Sequence, residues 1–342
     1  MLSFFRILST LLRQIFMLLL FGILAFALNC TTGGSKSDAN DRSSGQVAYL
    51  FTFFRGNGES GVYLAWSKDG YVFEELNSGQ PILPAPKAVG GGLTRDPSMV
   101  LGPDGVFHLV WTTGWWQPPV IGVAHSKDLL RWSEPQAVSV LTDEPTALNA
   151  WAPEIFFDDA SKEYLVIFSS TIRRLYPEGS SEKGPDGHGL EHRLYVVRTK
   201  DFVQWTPAKL FYDNGFSVID GMIAKAPAIK NRYIMVLKDE TFSPVPAKNL
   251  RLVFSTNALG PWTGLSAPIT PAGVWAEGPS INRIDDQWIV YYDRYMEGKY
   301  GAVRSSDLVH WQNIDDLIRF PRGARHGTVL TVPYPLIAHL IE

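Results

Sequence analysis

The chain has 342 residues, 45% of them hydrophobic and 13% aromatic, which is enough apolar side chain for one large domain or two ordinary ones and too much for a disordered chain. A net charge of −3 with no run of Lys or Arg excludes the basic footprint of a nucleic-acid binder. Its one cysteine, Cys30, excludes an internal disulfide.

Residues 1–29 read as a secretory signal. Arg6 and Arg13 flank or interrupt an apolar run, Ile15 to Leu28, that is short for a bilayer span, and no acidic residue precedes Asp38. Losing those two arginines takes the net charge to −5. Cys30 follows directly, with Thr31-Thr32-Gly33-Gly34-Ser35 after it. This placement resembles the lipobox of bacterial lipoproteins, with Asn29 where a small residue is usual. It implies export to the cell envelope and a lipid on Cys30 that anchors the chain in a membrane. An uncleaved anchor helix and an accidental thiol are the alternatives. Residues 30–46 form a flexible polar tether.

From residue 47 to 342 the pattern is all β: short apolar runs such as Val47–Phe54, Val106–Trp111, Tyr164–Phe168, Tyr233–Leu237 and Trp288–Tyr292, punctuated by Gly, Pro, Asp and Asn. One turn recurs, a Ser or Thr, usually an Asp two residues on, then an aromatic. It begins at Ser67, Ser126, Thr199, Ser255 and Ser305, at intervals of 59, 73, 56 and 50 residues. Each copy is followed by an apolar segment holding one ionisable side chain, in turn Asp96, Glu154, Asp220, Glu277 and His326. A unit thus has an inner strand, a hydrophobic second strand, a third leading into the turn, and an edge strand. The N-terminal segment lacks the inner strand, and residues 325–333 are an inner strand with nothing after it. Pairing the two closes the ring and removes two exposed edges. This predicts a five-bladed β-propeller; a β-sandwich explains neither the fivefold order nor the split unit.

Inner strands line a propeller's axis, so the five ionisable residues converge on one pocket. Three carboxylates in one concavity are costly unless they divide the labour. Hydrolysis of a glycosidic bond with inversion needs such a set, a base to activate water and an acid to protonate the leaving oxygen. Four motifs, Arg95-Asp96-Pro97-Ser98, Trp151-Ala152-Pro153-Glu154-Ile155, Val218-Ile219-Asp220-Gly221 and Ala276-Glu277-Gly278-Pro279-Ser280-Ile281, resemble glycoside hydrolase family 43 and its five-bladed relatives over residues 47–335. The resemblance implies that Asp96 is the general base, Asp220 the orienting and pKa-modulating carboxylate, and Glu277 the general acid. Glu154 stands where the family usually has Asp and is assigned to sugar hydroxyls or pocket support; Met222 also departs from the pattern. His326, in Ala324-Arg325-His326-Gly327, matches a channel histidine that holds Ca2+, another ion or water in relatives, or else is satisfied without metal. No cofactor is required for the chemistry. Arg325 is a substrate clamp or an ion-pair partner for Asp220 or Glu277.

Trp115, Trp116, Trp151 and Trp275 are the expected aromatic contacts to sugar faces. The loop 173–192 lengthens one interval to 73 and is expected at the pocket mouth, where His188 or His192 touches substrate, or else out on the surface. The expected partner is an oligo- or polysaccharide. The expected activity is exo-acting release of furanose or pentose units, α-L-arabinofuranose first and β-D-xylose second. The rival readings are an endo-arabinanase, a non-catalytic glycan-binding propeller, and a transferase or phosphorylase.

Overall fold

The computed structural model describes residues 46–341, apart from 117, 177–181, 228, 230 and 231. The signal segment, Cys30 and the tether up to residue 45 lie outside the described residues. The chain enters with β1 (Val47–Phe54), β2 (Gly61–Ser67), β3 (Glu74–Glu75) and β4 (Leu83–Pro84). The first blade is β5 (Arg95–Leu101), β6 (Phe107–Thr112), β7 (Val120–Ser126) and β8 (Gln136–Ser139). The second is β9 (Trp151–Asp158), β10 (Glu163–Ser170), β11 (Arg193–Thr199) and β12 (Lys209–Tyr212). β13 (Val218–Ala226), β14 (Arg232–Asp239) and β15 (Asn249–Ser255) make the third. β16 (Glu277–Ile284), β17 (Gln287–Arg294), β18 (Lys299–Ser305) and β19 (Gln312–Asn313) make the fourth. The last strand, β20 (Arg325–Pro333), pairs antiparallel with β1, so the fifth blade is built from both ends of the domain. Inner strands touch in sequence, β5 to β9 to β13 to β16 to β20 and back to β5, which closes a five-bladed propeller.

The second strands are apolar on both faces because each face packs against a different neighbour. On β6, Leu109 and Trp111 join Leu50 and Leu64 of the fifth blade, whereas Val110 joins Ile155, Val166 and Phe168 of the second. On β14, Met235 and Leu237 face the second blade while Ile234 and Val236 face the fourth. On β1, Phe51 and Phe53 pack with Ile289 and Tyr291. A side-chain period of two therefore splits each blade's apolar residues between two cores, and five such cores hold the ring. Each fully buried side chain of this size contributes about 1.5–3 kcal/mol.

The recurring turns sit at the end opposite the start of the inner strands. In four of them the Ser or Thr hydroxyl accepts from the N–H three residues on (2.8 Å each), and the Asp carboxylate accepts from two further N–H groups. One prediction is corrected. Among the described residues the third blade has three strands; in place of the fourth, β15 meets a Phe254–Thr263 bridge and accepts from the Ser266 and Ile269 N–H groups. Pro261, Pro268 and Pro271 interrupt this segment, and a proline cannot donate to a ladder.

Candidate active site

All five inner strands carry the same irregularity at their upper end. Between Arg95 and Ser98, two β5 residues face one of β6. The same two-against-one mismatch occurs at Trp151–Glu154, Ile219–Met222, Glu277–Ser280 and Arg325–Thr328. It is a β-bulge, which bends a strand and re-aims its side chains. The first bulge residue has positive φ in four blades: Asp96 (49°), Ala152 (47°), Asp220 (55°) and Gly278 (56°). For non-glycine residues that backbone costs roughly 1–3 kcal/mol, and such strain collects at functional sites.

The bulges define which residues are equivalent around the ring, and they correct the expected fivefold set. Asp96, Ala152, Asp220, Gly278 and His326 share the bulge position. Glu277 comes one residue before it, beside Arg95, Trp151, Ile219 and Arg325. Glu154 comes two residues after it, level with Ser98, Met222, Ser280 and Thr328. Two residues along a strand is about 6.6 Å, so Glu154 lies a layer deeper than the others. There it accepts from Ser98 Oγ (2.6 Å) and Thr328 Oγ1 (3.2 Å) and is 5% exposed. It does not line the pocket, so of its two expected roles only pocket support survives. Burial raises its pKa to about 7 against the pull of Ser98 and His326.

Asp96, Asp220, Glu277, Arg325 and His326 line one pocket of about 270 Å³. His326 Nδ1 is 3.4 Å from Asp96 Oδ1 and 4.0 Å from Asp220 Oδ2. Asp220 Oδ2 also accepts from the Gly278 N–H (3.0 Å). Gly278 is required there: a Cβ on it would stand 2.5 Å from the His326 ring. Burial opposes the His326 charge, but Asp220 and Asp96 outweigh it and raise the pKa of the imidazole. Burial raises Asp220 to about 6, against His326 and Lys238 and with Glu277 adding to the rise. Glu154 is committed to two hydroxyls, and among the described residues no three His, Cys, Asp or Glu side chains form a metal-holding group.

Glu277 is gripped from two sides. Its Oε1 is 3.3 Å from Arg325 and its Oε2 is 3.3 Å from Lys238. Arg325 is thus an ion-pair partner of Glu277, and its Nε also donates to Asp293 Oδ2 (2.8 Å). Asp293 is fully buried and further accepts from the His326 N–H (3.1 Å). Sequence reasoning missed Lys238, Glu240, Asp293 and Tyr295. Their signal was a charge closing an apolar second strand, in Lys238-Asp239-Glu240 and in Asp293-Arg294.

At the rim, Trp151 Nε1 donates to the Trp115 carbonyl (2.6 Å), and Trp116 packs on Trp151 at 5.2 Å. Trp115 and Trp151 line the pocket, whereas Trp116 buttresses them. The Arg95 guanidinium lies 4.1 Å from the Trp115 ring. Trp275 is corrected: it packs on Phe242, Tyr295 and Lys248 and does not line the pocket. The segment 189–192 is a partition, with Leu190 and His192 facing the pocket and Gly189 and Glu191 facing a second cavity of about 600 Å³ that also takes His188. His192 is buried, which lowers its pKa to about 4 and leaves it neutral. His192 Nδ1 is 3.1 Å from Thr171 Oγ1.

Comparison with known proteins adds three findings. The sequence profile of a family described as "Probable glycosyl hydrolase domain", related to family 43, matches residues 45–334. An alpha-L-arabinofuranosidase of Bifidobacterium longum subsp. longum is 27% identical over 202 residues, 53% of this chain; the chain spans 18% of that protein's own length. Among solved structures, a thermostable family-43 glycoside hydrolase superposes with a TM-score of 0.51 at 16% identity, covering 70% of this chain and 80% of that one. A xylan beta-1,4-xylosidase from Bacillus halodurans C-125 gives 0.50 at 17% identity, over 67% of this chain and 42% of the other. At such identities the superpositions speak for the fold alone.

Proposed function

We propose, from the premise that the chain belongs to the glycosyl hydrolase family related to family 43, that it is an inverting glycoside hydrolase releasing pentose or furanose units from the ends of glycan chains. α-L-Arabinofuranose is the first expected product, in keeping with the name of the bifidobacterial relative, and β-D-xylose the second. The observation that carries this reading is the convergence of Asp96, Asp220 and Glu277, from three blades, on one 270 Å³ pocket.

Asp96 serves as the base that takes a proton from the attacking water, with His326 holding its carboxylate in place. Glu277 serves as the acid that protonates the departing oxygen. Asp220, tied to the Gly278 N–H, places negative charge near Glu277 and so opposes the two cations that favour its ionised form. Inversion requires about 6.5–9.5 Å between acid and base to admit the water. The exo preference is supported by the wall of Glu182, Leu190 and His192, which bounds the pocket on one side.

The roles separate by leaving group. Asp96→Ala is expected to lower kcat/KM by about 10³-fold or more on every aryl glycoside. Glu277→Ala is expected to do so on poor leaving groups only, since a dinitrophenolate departs without a proton. Near-wild-type turnover of a nitrophenyl glycoside by Asp96→Ala, or an equal loss across leaving groups in Glu277→Ala, contradicts the assignment.

A further inference from the structure

Five charged side chains of alternating sign run without a break from the pocket wall to Glu277. Glu182 Oε1, on the wall, is 2.9 Å from Lys248 Nζ. Lys248 also pairs with Glu240 Oε1, and Glu240 Oε2 is 2.8 Å from Lys238 Nζ. Lys238 reaches Glu277 Oε2 at 3.3 Å. The two lysines are 1% and 2% exposed. Taking an ammonium out of water costs several kcal/mol, and a carboxylate on either side of each lysine offsets that cost. Aromatic faces complete their surroundings: Phe242 and Trp275 lie 5.5 and 5.6 Å from Lys248, and Tyr295 lies 4.7 Å from Lys238.

We propose that Lys238 is a positioning residue for Glu277, and that the Glu182–Lys248–Glu240 series sets how strongly it acts, linking the seating of the pocket wall to the proton held on Glu277. This rests on Glu277 being the general acid. The other groups facing Glu277 are Arg325, Asp293, Asp220, His326, Tyr295 and Tyr300, and they are common to every variant considered. Burial works against the Lys238 charge, yet Glu240 and Glu277 more than restore it and hold its pKa well above the usual lysine range.

The signs follow from Coulomb attraction. Lys238 favours the Glu277 carboxylate, so its loss lets Glu277 keep its proton to higher pH. Glu182 shares the charge of Lys248 with Glu240, so its loss removes one negative charge from the series and Glu277 releases its proton at lower pH. A merely structural role moves neither limb in this paired way.

The test is the pH profile of kcat/KM on an aryl glycoside with a poor leaving group. In Lys238→Met the alkaline limb is expected to rise by about 1–3 pH units. In Lys238→Arg it is expected to stay near wild type, because the charge is kept. In Glu182→Gln it is expected to fall by about 0.3 unit or more. An unmoved limb in Lys238→Met, or a shift of the same sign in Glu182→Gln, overturns the proposal. Should Lys238→Met fail to fold, Glu182→Gln decides by its sign, since that half-exposed side chain is 46% open to solvent and not needed for the core. Glu277→Gln separates the two levels. Wild-type rates in it defeat the general-acid assignment itself, whereas an inactive Glu277→Gln with unmoved limbs in the other variants defeats only the link.

Discussion

Gly278 shows how one missing side chain sets the geometry around three others. Its φ of 56° is open to glycine, and an added methyl would stand 2.5 Å from the ring of His326. That ring is also the group lying between Asp96 and Asp220. Gly278→Ala is therefore expected to destabilise the fold by about 1–3 kcal/mol and to reduce kcat/KM on aryl glycosides by about tenfold or more. Thermal melts and steady-state kinetics check both; wild-type values for the pair contradict the crowding of His326. At this scale the sequence was only partly legible. Asp96, Asp220 and Glu277 stood out because a carboxylate in an apolar setting is unusual. Glu154 looked equivalent because residue type does not reveal a positive φ at Ala152, and so hides the bulge that lowers Glu154 by two residues. Lys238 escaped notice because lysine is ordinarily exposed, and its burial depends on Glu240, two residues on, and on Glu277, which only the fold brings near.

Where the first and second blades meet, strand packing brings a buried and a half-buried histidine into contact. His108 on β6 and His125 on β7 share a hydrogen bond between their Nδ1 atoms (2.8 Å). Tyr164 lies 3.1 Å from His108 Nε2, and Phe202 stacks on the His108 ring at 4.3 Å. Burial lowers both pKa values, that of His108 to about 4, with Asp104 pulling the other way. The unfolded chain binds protons near pH 6.5 while the folded pair stays neutral, so stability from this pair is full above about pH 6.5 and is lost as pH falls toward about 4. The loss is up to about 3 kcal/mol. Asp220, Glu154 and Asp293, whose pKa values are raised, change stability in the opposite sense over the same range, so the comparison must be between proteins. His108→Phe is expected to lose less Tm than wild type between pH 7 and pH 5. Parallel declines contradict the role of the pair. The strands themselves were readable from apolar runs and turn residues. Which face each residue takes was not, because second strands are apolar on both sides and carry no alternation to read.

At the scale of the whole molecule, five turns and one split unit specified the ring, and the β1–β20 pairing closes it as the sequence implied. A propeller gathers the tops of its inner strands whatever their separation in the chain. Residues from Asp96 to His326 thereby share a pocket without any local motif that contains them all. The pocket's walls were less legible, because the direction of a tryptophan or of the loop 173–192 depends on tertiary packing; Trp275 faces Lys248 while Trp151 faces the pocket. The central claim is that Asp96 and Glu277 act across that pocket as base and acid in a single displacement. Its most direct test is proton NMR of the sugar first released from whichever aryl glycoside the protein cleaves, recorded before mutarotation. Inversion predicts that the first anomer has the configuration opposite to the substrate, β-arabinofuranose from an α-L-arabinofuranoside. An initial product of retained configuration contradicts the account.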